Sequence, residues 1–218
     1  MKSLLRDFRF FMARSGIISI AKLTLTLLAV IITVGAVRLF APVSQSVREF
    51  IDGFLNSMMF ALPACCIGMS FGITNYLSPM NPGYKLFHFV PDCGKRFRNA
   101  LICANLIALV VTLISAAVLG GYFALTQSIA GIMTAPLAIG FGLISLGILN
   151  FLGFTGSVIM RLVMFMCIGG LAGFMIGFSE DAEITAAAYI VAAVGVGLWL
   201  SSMVYVALVA EKRWYREK

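Results

Sequence analysis

Residues 99–160 read NALICANLIALVVTLISAAVLGGYFALTQSIAGIMTAPLAIGFGLISLGILNFLGFTGSVIM and contain no charged side chain. A transmembrane helix needs about 20 apolar residues, so this stretch is long enough for two crossings. The segment Tyr122 to Gln127 divides it, which predicts one span at about 100–122 and another at about 129–152. Because a helix satisfies its own backbone hydrogen bonds in lipid, the stretch indicates a helical membrane protein.

The composition of the whole chain supports the same class. Of its 218 residues 61% are hydrophobic and 11% charged, and the mean hydropathy is +1.02. A soluble domain of this length could not keep so much apolar surface away from water. We therefore expect no separate soluble catalytic domain beside the spans in these 218 residues.

Four further apolar stretches predict additional spans, separated by short polar segments. They lie at about 19–40, 54–77, 158–178 and 184–209. The segment APVSQSVREFIDG, residues 41–53, is interpreted as a polar connection between the first two spans. The predicted fold is therefore an all-α membrane protein whose domain, residues 16–210, has six transmembrane helices.

Both ends of the chain are basic. Residues 1–15 predict an amphipathic helix in the membrane interface, with an apolar face and a mainly polar one. The apolar face contains Leu4, Leu5, Phe8, Phe11 and Met12, and the polar face Lys2, Arg6, Asp7 and Arg9. Residues 211–218 predict a basic cytoplasmic tail in which Trp214 and Tyr215 are suited to the lipid headgroups.

The distribution of lysine and arginine predicts the orientation. With six spans, 14 of the 16 cationic residues fall on the side that holds both termini, and only Arg38 and Arg48 fall on the other. Cytoplasmic loops are enriched in these residues, so both termini are predicted to be cytoplasmic. We expect a multi-pass protein of the bacterial cytoplasmic membrane, with lipid rather than nucleic acid around its basic residues.

The predicted spans lack the groups that chemistry at depth requires. No Asp or Glu lies in their cores, and the single histidine, His88, lies in a loop. Proton antiport, metal transport and intramembrane proteolysis need ionisable groups there. We therefore expect no metal site and no enzymatic activity in this chain.

The positions of the five cysteines favour free thiols over disulfides. One of them, Cys93, lies in a polar loop, and the other four lie in apolar runs: Cys65, Cys66, Cys103 and Cys167.

Small and amide side chains in the spans suggest helix packing. Gly169, Gly173 and Gly177 recur every four residues, which would let another helix approach closely, either within the chain or at a subunit seam. Four asparagines lie near or within span ends, where they can bond to neighbouring helices: Asn56, Asn75, Asn105 and Asn150.

The longest polar interruption is the predicted cytoplasmic loop at 78–99. Prolines and a glycine turn the chain, YKLFHFV supplies an apolar and aromatic element, and KRFRN follows before the next span. Such an element at the membrane surface is suited to docking of a soluble protein. The alternative is that its aromatic side chains sink into the headgroups.

This passage and the six-span architecture resemble the membrane subunits of ABC-2-type ATP-binding-cassette exporters. Locally the resemblance lies in GYKLFHFVPDCGKRFRNALICANLI, residues 83–107. It implies a coupling helix that docks on a nucleotide-binding subunit, with a docking element at Tyr84, Lys85, Leu86, Phe87, His88 and Phe89. Lys95, Arg96 and Arg98 would then anchor the third span.

The resemblance implies a permease that exports a hydrophobic or amphipathic substrate, such as a small peptide or lipid-like molecule. The chain has no GxxxxGK[ST] phosphate loop, so ATP and Mg would be bound by a separate ATPase subunit. Two copies, or one copy and a similar permease, would form the pathway. The alternative function is a non-transporting scaffold or sensor that recruits a cytoplasmic protein through residues 79–99.

Overall fold

The computed structural model describes residues 2–12, 14–77, 89–126, 129–153, 163, 166–170 and 185–216. These residues are helical apart from short turns, and no strand occurs among them. The helices are α1 (Lys2–Phe11), α2 (Arg14–Phe40), α3 (Gln45–Thr74), α4 (Cys93–Leu125), α5 (Ile129–Leu152) and α6 (Thr185–Arg216). A 3₁₀ turn, Asn75–Leu77, follows α3, and residues 163 and 166–170 are also helical.

Four of these helices are long and apolar enough to cross a membrane. The segments are Ala21–Phe40, Cys93–Leu125, Ala135–Leu152 and Ala187–Tyr215, found by a search restricted to the described residues. The protein is therefore an integral, multi-pass membrane protein of the all-α class.

The helices extend beyond the predicted apolar stretches. The predicted span at 129–152 coincides with α5, but α3 begins at Gln45 inside the segment interpreted as a polar connection. Cys93 and the basic residues after it form the first turns of α4, and Cys93 is buried rather than in a loop. Residues 211–216 continue α6 instead of forming a separate tail.

The reason is that a helix does not end where the lipid ends. The 33 residues of α4 extend about 50 Å at 1.5 Å per residue, whereas a hydrocarbon core is only about 30 Å thick. Charged residues such as those after Cys93 are good helix formers, so the helix continues where hydropathy falls.

The helix α4 lies at the centre of the bundle. It packs against α1, α3, α5 and α6. The most extensive helix pair is α5 with α6, and α2 packs against α3.

A buried network of polar side chains joins the three central helices, α4, α5 and α6. Asn105 on α4 and Asn150 on α5 exchange two amide hydrogen bonds of 3.1 and 2.9 Å. The Asn150 amide also donates to the Ser202 hydroxyl on α6 at 2.9 Å.

This network confirms that Asn105 and Asn150 bond to neighbouring helices. Asn150→Leu would remove the partner of Asn105, whose remaining bond is to the Leu101 carbonyl within α4. We expect a loss of about 1 kcal/mol in unfolding free energy, the usual size of an interhelical hydrogen bond in membrane proteins. Unfolding in mixed micelles of the Asn105→Leu and Asn150→Leu variants and of their double mutant measures it.

The matched control is Ser201→Ala, since Ser201 is exposed and bonds only to the Gly197 carbonyl of its own helix. This variant should unfold like the wild type. If the effects of the two asparagine variants are strictly additive, the two amides are not coupled and the expectation is wrong.

The close crossing of α5 and α6 depends on two glycines. A Cβ added at Gly195 would lie 3.0 Å from the carbonyl oxygen and 3.1 Å from the Cα of Gly140. One added at Gly140 would lie 3.0 Å from the backbone of Val191. The two backbones are therefore in direct contact, an approach that only glycine permits.

Candidate functional site

An aromatic cluster joins four segments at one end of the bundle. Phe11 of α1 packs edge-on against Tyr76 of the 3₁₀ turn, Phe97 of α4 and Trp214 of α6, with ring centroids 5.5, 5.7 and 5.7 Å apart. Phe97 and Trp214 are in mutual contact at 4.9 Å. We call Phe11, Tyr76, Phe97 and Trp214 the aromatic cluster. Such ring pairs stabilise packing beyond the area they bury.

The apolar face of α1 therefore packs on protein rather than lying only against lipid. Phe8 and Phe11, which the sequence pattern placed on one face of a helix in the membrane interface, are buried within the protein. Trp214 is 0% exposed, so its predicted position among the headgroups is wrong. The charged residues around Trp214 suggested an interfacial side chain, and the sequence did not show that α1 would cover it.

Polar contacts surround the aromatic cluster and hold the same helices. The Arg98 guanidinium of α4 donates to the Glu211 carboxylate of α6 at 2.6 Å. The Asn99 amide donates to the Asp7 carboxylate of α1 at 2.8 Å. Arg96 lies over the ring of Phe10 at 5.2 Å, a cation–π contact.

Asp7 departs from the sequence prediction. It was assigned to the polar face of α1, but it is only 3% exposed and points towards α4. On a helical wheel Asp7 lies beside Phe11, at the edge of the apolar face. Burial of this carboxylate needs a donor, which Asn99 provides, with Arg6 of the same helix 3.7 Å away.

A tight turn leads into α4 just before these contacts. Asp92 has φ of 56°, in the left-handed region that Asp tolerates better than most residues. The Cys93 amide donates to the Val90 carbonyl across the turn at 3.3 Å. Gly94, two residues after Asp92, faces the ring of Tyr215. A Cβ added at Gly94 would lie 2.7 Å from this ring. The start of α4 and the end of α6 are thus in close contact.

The predicted docking element lies mostly outside the described residues. Tyr84, Lys85, Leu86, Phe87 and His88 belong to that part of the chain. Phe89 is described and is 85% exposed.

The three predicted anchor residues have different environments. Lys95 is exposed, whereas Arg96 contacts α1 and Arg98 contacts α6. Both arginines join helices of this chain to one another, which their spacing in the sequence did not indicate.

The predicted glycine seam is described only at Gly169. This residue is exposed, and nothing lies within 4 Å of a Cβ added there. Gly173 and Gly177 lie outside the described residues. Among the described residues, Gly140 and Gly195 are two glycines at which one helix does approach the backbone of another closely.

A second polar cluster ties α2, α3 and α4 at the opposite end of α4. Asp52 accepts a 3.3 Å bond from the Arg38 guanidinium and a 2.8 Å bond from the Tyr122 hydroxyl. A polar cavity of about 470 Å³ lies beside it, lined in part by Arg48 and Glu49. The sequence placed Arg38 at the end of the first predicted span and Asp52 in the polar connection after it, but it did not predict that the two side chains pair.

Cys93, Cys103 and Cys167 are free thiols. Within the described ranges, no three His, Cys, Asp or Glu side chains come together as a metal site. The chain matches no protein-family model, no curated protein and no solved structure.

Proposed function

We propose that this chain is the membrane permease subunit of an ATP-binding-cassette exporter of the ABC-2 type. It would move a hydrophobic or amphipathic substrate with energy from ATP, which is bound with Mg by a separate cytoplasmic ATPase subunit. Two permease chains, identical or similar, would form the pathway. The main support for this proposal is that the start of α4 packs against both α1 and α6 through the aromatic cluster.

The proposed topology has six spans with both termini in the cytoplasm. Two contacts support α3 as a crossing in addition to the four apolar helices: Asp52, near its start, meets the end of α4, and Tyr76, just after its end, meets the aromatic cluster. It therefore runs antiparallel to α4 along most of that helix. The sixth span would be 158–178, of which residues 163 and 166–170 are helical.

The charge distribution supports the proposed orientation. The N-terminal helix, the start of α4 and the end of α6 meet at the aromatic cluster, so the basic segments of all three lie at one end. At the other end Arg38 is neutralised by Asp52. By the positive-inside rule, the end with the aromatic cluster faces the cytoplasm.

The geometry offers a way to transmit motion from an ATPase. A partner that grips residues 84–89 would pull on the turn at Asp92 and hence on the first turn of α4. Because Phe97 packs on Trp214 and Arg98 bonds to Glu211, that movement would carry the end of α6 with it. Helix α1 would follow through Phe11.

The substrate class follows from the interior of the bundle. The buried polar side chains of the three central helices are neutral amides and hydroxyls. Three of them, Asn105, Asn150 and Ser202, are bonded to one another. A charged substrate would meet no fixed counter-charge there, and such a charge is costly at that depth. Apolar or amphipathic molecules meet no such cost.

The test is co-purification of the chain, in detergent, with any ATP-binding-cassette ATPase that is encoded beside its gene. Replacing both Phe87 and Phe89 by Glu puts charges on the proposed docking element. We expect the amount of bound ATPase to fall at least about tenfold, the size of a hot-spot loss. The control Phe50→Glu changes a phenylalanine that is 75% exposed on α3, and it should leave ATPase binding unchanged.

Two results would count against the permease. One is that no ATPase is recovered from any of these preparations. The other is that the double variant binds it as the wild type does. Capture of a kinase or regulator through the same loop would instead favour the scaffold or sensor function.

A further inference from the structure

An apolar groove runs between α1 and α4 on the surface of the bundle. Its volume is about 430 Å³, and its lining is almost entirely apolar. Leu4 and Leu5 line it on α1, and Cys103, Leu106 and Val110 are among the residues that line it on α4. The groove therefore lies where the N-terminal helix leaves a gap against a membrane-crossing helix.

The direction of the groove fits a lipid chain. The lining residues of α4 span from Cys103 to Val111, which is about 12 Å along the helix at 1.5 Å per residue. This direction follows a helix that is long and apolar enough to cross the membrane. Leu106 and Val110 are 41% and 54% exposed, so the groove is open to the surrounding lipid.

Helix α1, which lines the groove together with α4, carries positive charge. Arg9 is exposed and one helical turn after Leu5, so the two residues share a face of α1. The neighbouring Arg6 has a side chain that is 76% exposed. Basic amphipathic helices of this kind attract anionic headgroups at the membrane interface.

We propose that the groove is a binding site for one anionic phospholipid. One acyl chain lies between α1 and α4 along Leu106 and Val110, and the phosphate headgroup is held by Arg9. The lipid completes the packing of α1 on α4 on the side away from the aromatic cluster. This site does not depend on the chain being an exporter subunit.

Native mass spectrometry of the purified full chain tests the site, with phosphatidylglycerol as the anionic probe and phosphatidylcholine as the neutral one. The Leu106→Trp variant puts a large side chain into the groove. The Val110→Trp variant also fills it, one helical turn further along α4. We expect both to lose the phosphatidylglycerol that the wild type retains. The control is Leu113→Trp on the same helix, since Leu113 is 46% exposed but outside the groove.

The headgroup contact is tested separately by Arg9→Gln. We expect about fivefold weaker retention of phosphatidylglycerol, the size of one cation's contribution at an anionic surface, with phosphatidylcholine unchanged. The control Arg48→Gln removes an exposed cation whose guanidinium donates to the Val43 carbonyl, far from α1.

The outcomes that overturn the site are specific. Equal retention of phosphatidylglycerol by the groove-filling variants and by Leu113→Trp means that no acyl chain occupies the groove. Equal retention of the two lipids by the wild type means that the headgroup is not selected. If Leu106→Trp instead converts a dimer to a monomer with lipid unchanged, a second copy of the chain covers the groove.

Discussion

Trp214→Ala is expected to reduce the free energy of unfolding by about 3–5 kcal/mol, the usual cost of truncating a buried aromatic side chain to alanine. Trp214 is fully buried and contacts both Phe97 and Phe11. Its loss leaves a cavity at the junction of α1, α4 and α6, which those helices cannot fill without moving. Equilibrium unfolding of the purified chain in mixed micelles measures the change.

The same variant should also release α1 from the bundle. Proteases cleave unfolded backbone, so trypsin should cut after Arg9 much faster once α1 detaches. The control Leu208→Ala truncates a side chain of α6 that is 65% exposed, and it should change the unfolding free energy by no more than about 0.5 kcal/mol. If trypsin cleaves the tryptophan variant and the control at the same rate, α1 is held by something other than the aromatic cluster.

The membrane class and the central spans could be predicted from the sequence because they depend on composition alone. An uncharged run such as 99–160 has few alternatives to crossing lipid, and α5 ends where its apolar stretch ends. The helix ends were less predictable, since α3 and α4 continue into charged segments, and some of the charged residues there, such as Asp52 and Arg98, have partners on other helices. Arg98 is an example, because its contact with Glu211 joins positions 113 residues apart.

The contacts of the candidate site could not be predicted either, because they join residues that are far apart in the sequence. Periodicity showed that Phe8 and Phe11 share a face of α1, but it did not show what that face would cover. Trp214 has the sequence context of an interfacial residue, and its burial follows only from the position of α1 against α6. Likewise, the pattern of small residues directed attention to Gly169, where an added Cβ would meet nothing.

The glycines that bring helices together are single residues on two helices, so no repeat within one helix reveals them. Gly195→Val is expected to cost about 3 kcal/mol, because the new side chain would meet the backbone of Gly140 rather than a movable side chain. The control Gly197→Val lies two residues away on α6, where nothing is within 4 Å of an added Cβ. That control should be neutral or slightly stabilising, since valine has a higher helix propensity than glycine. Unfolding of both variants in mixed micelles compares them directly. If the two variants are equally stable, α5 and α6 do not cross at Gly140 and Gly195.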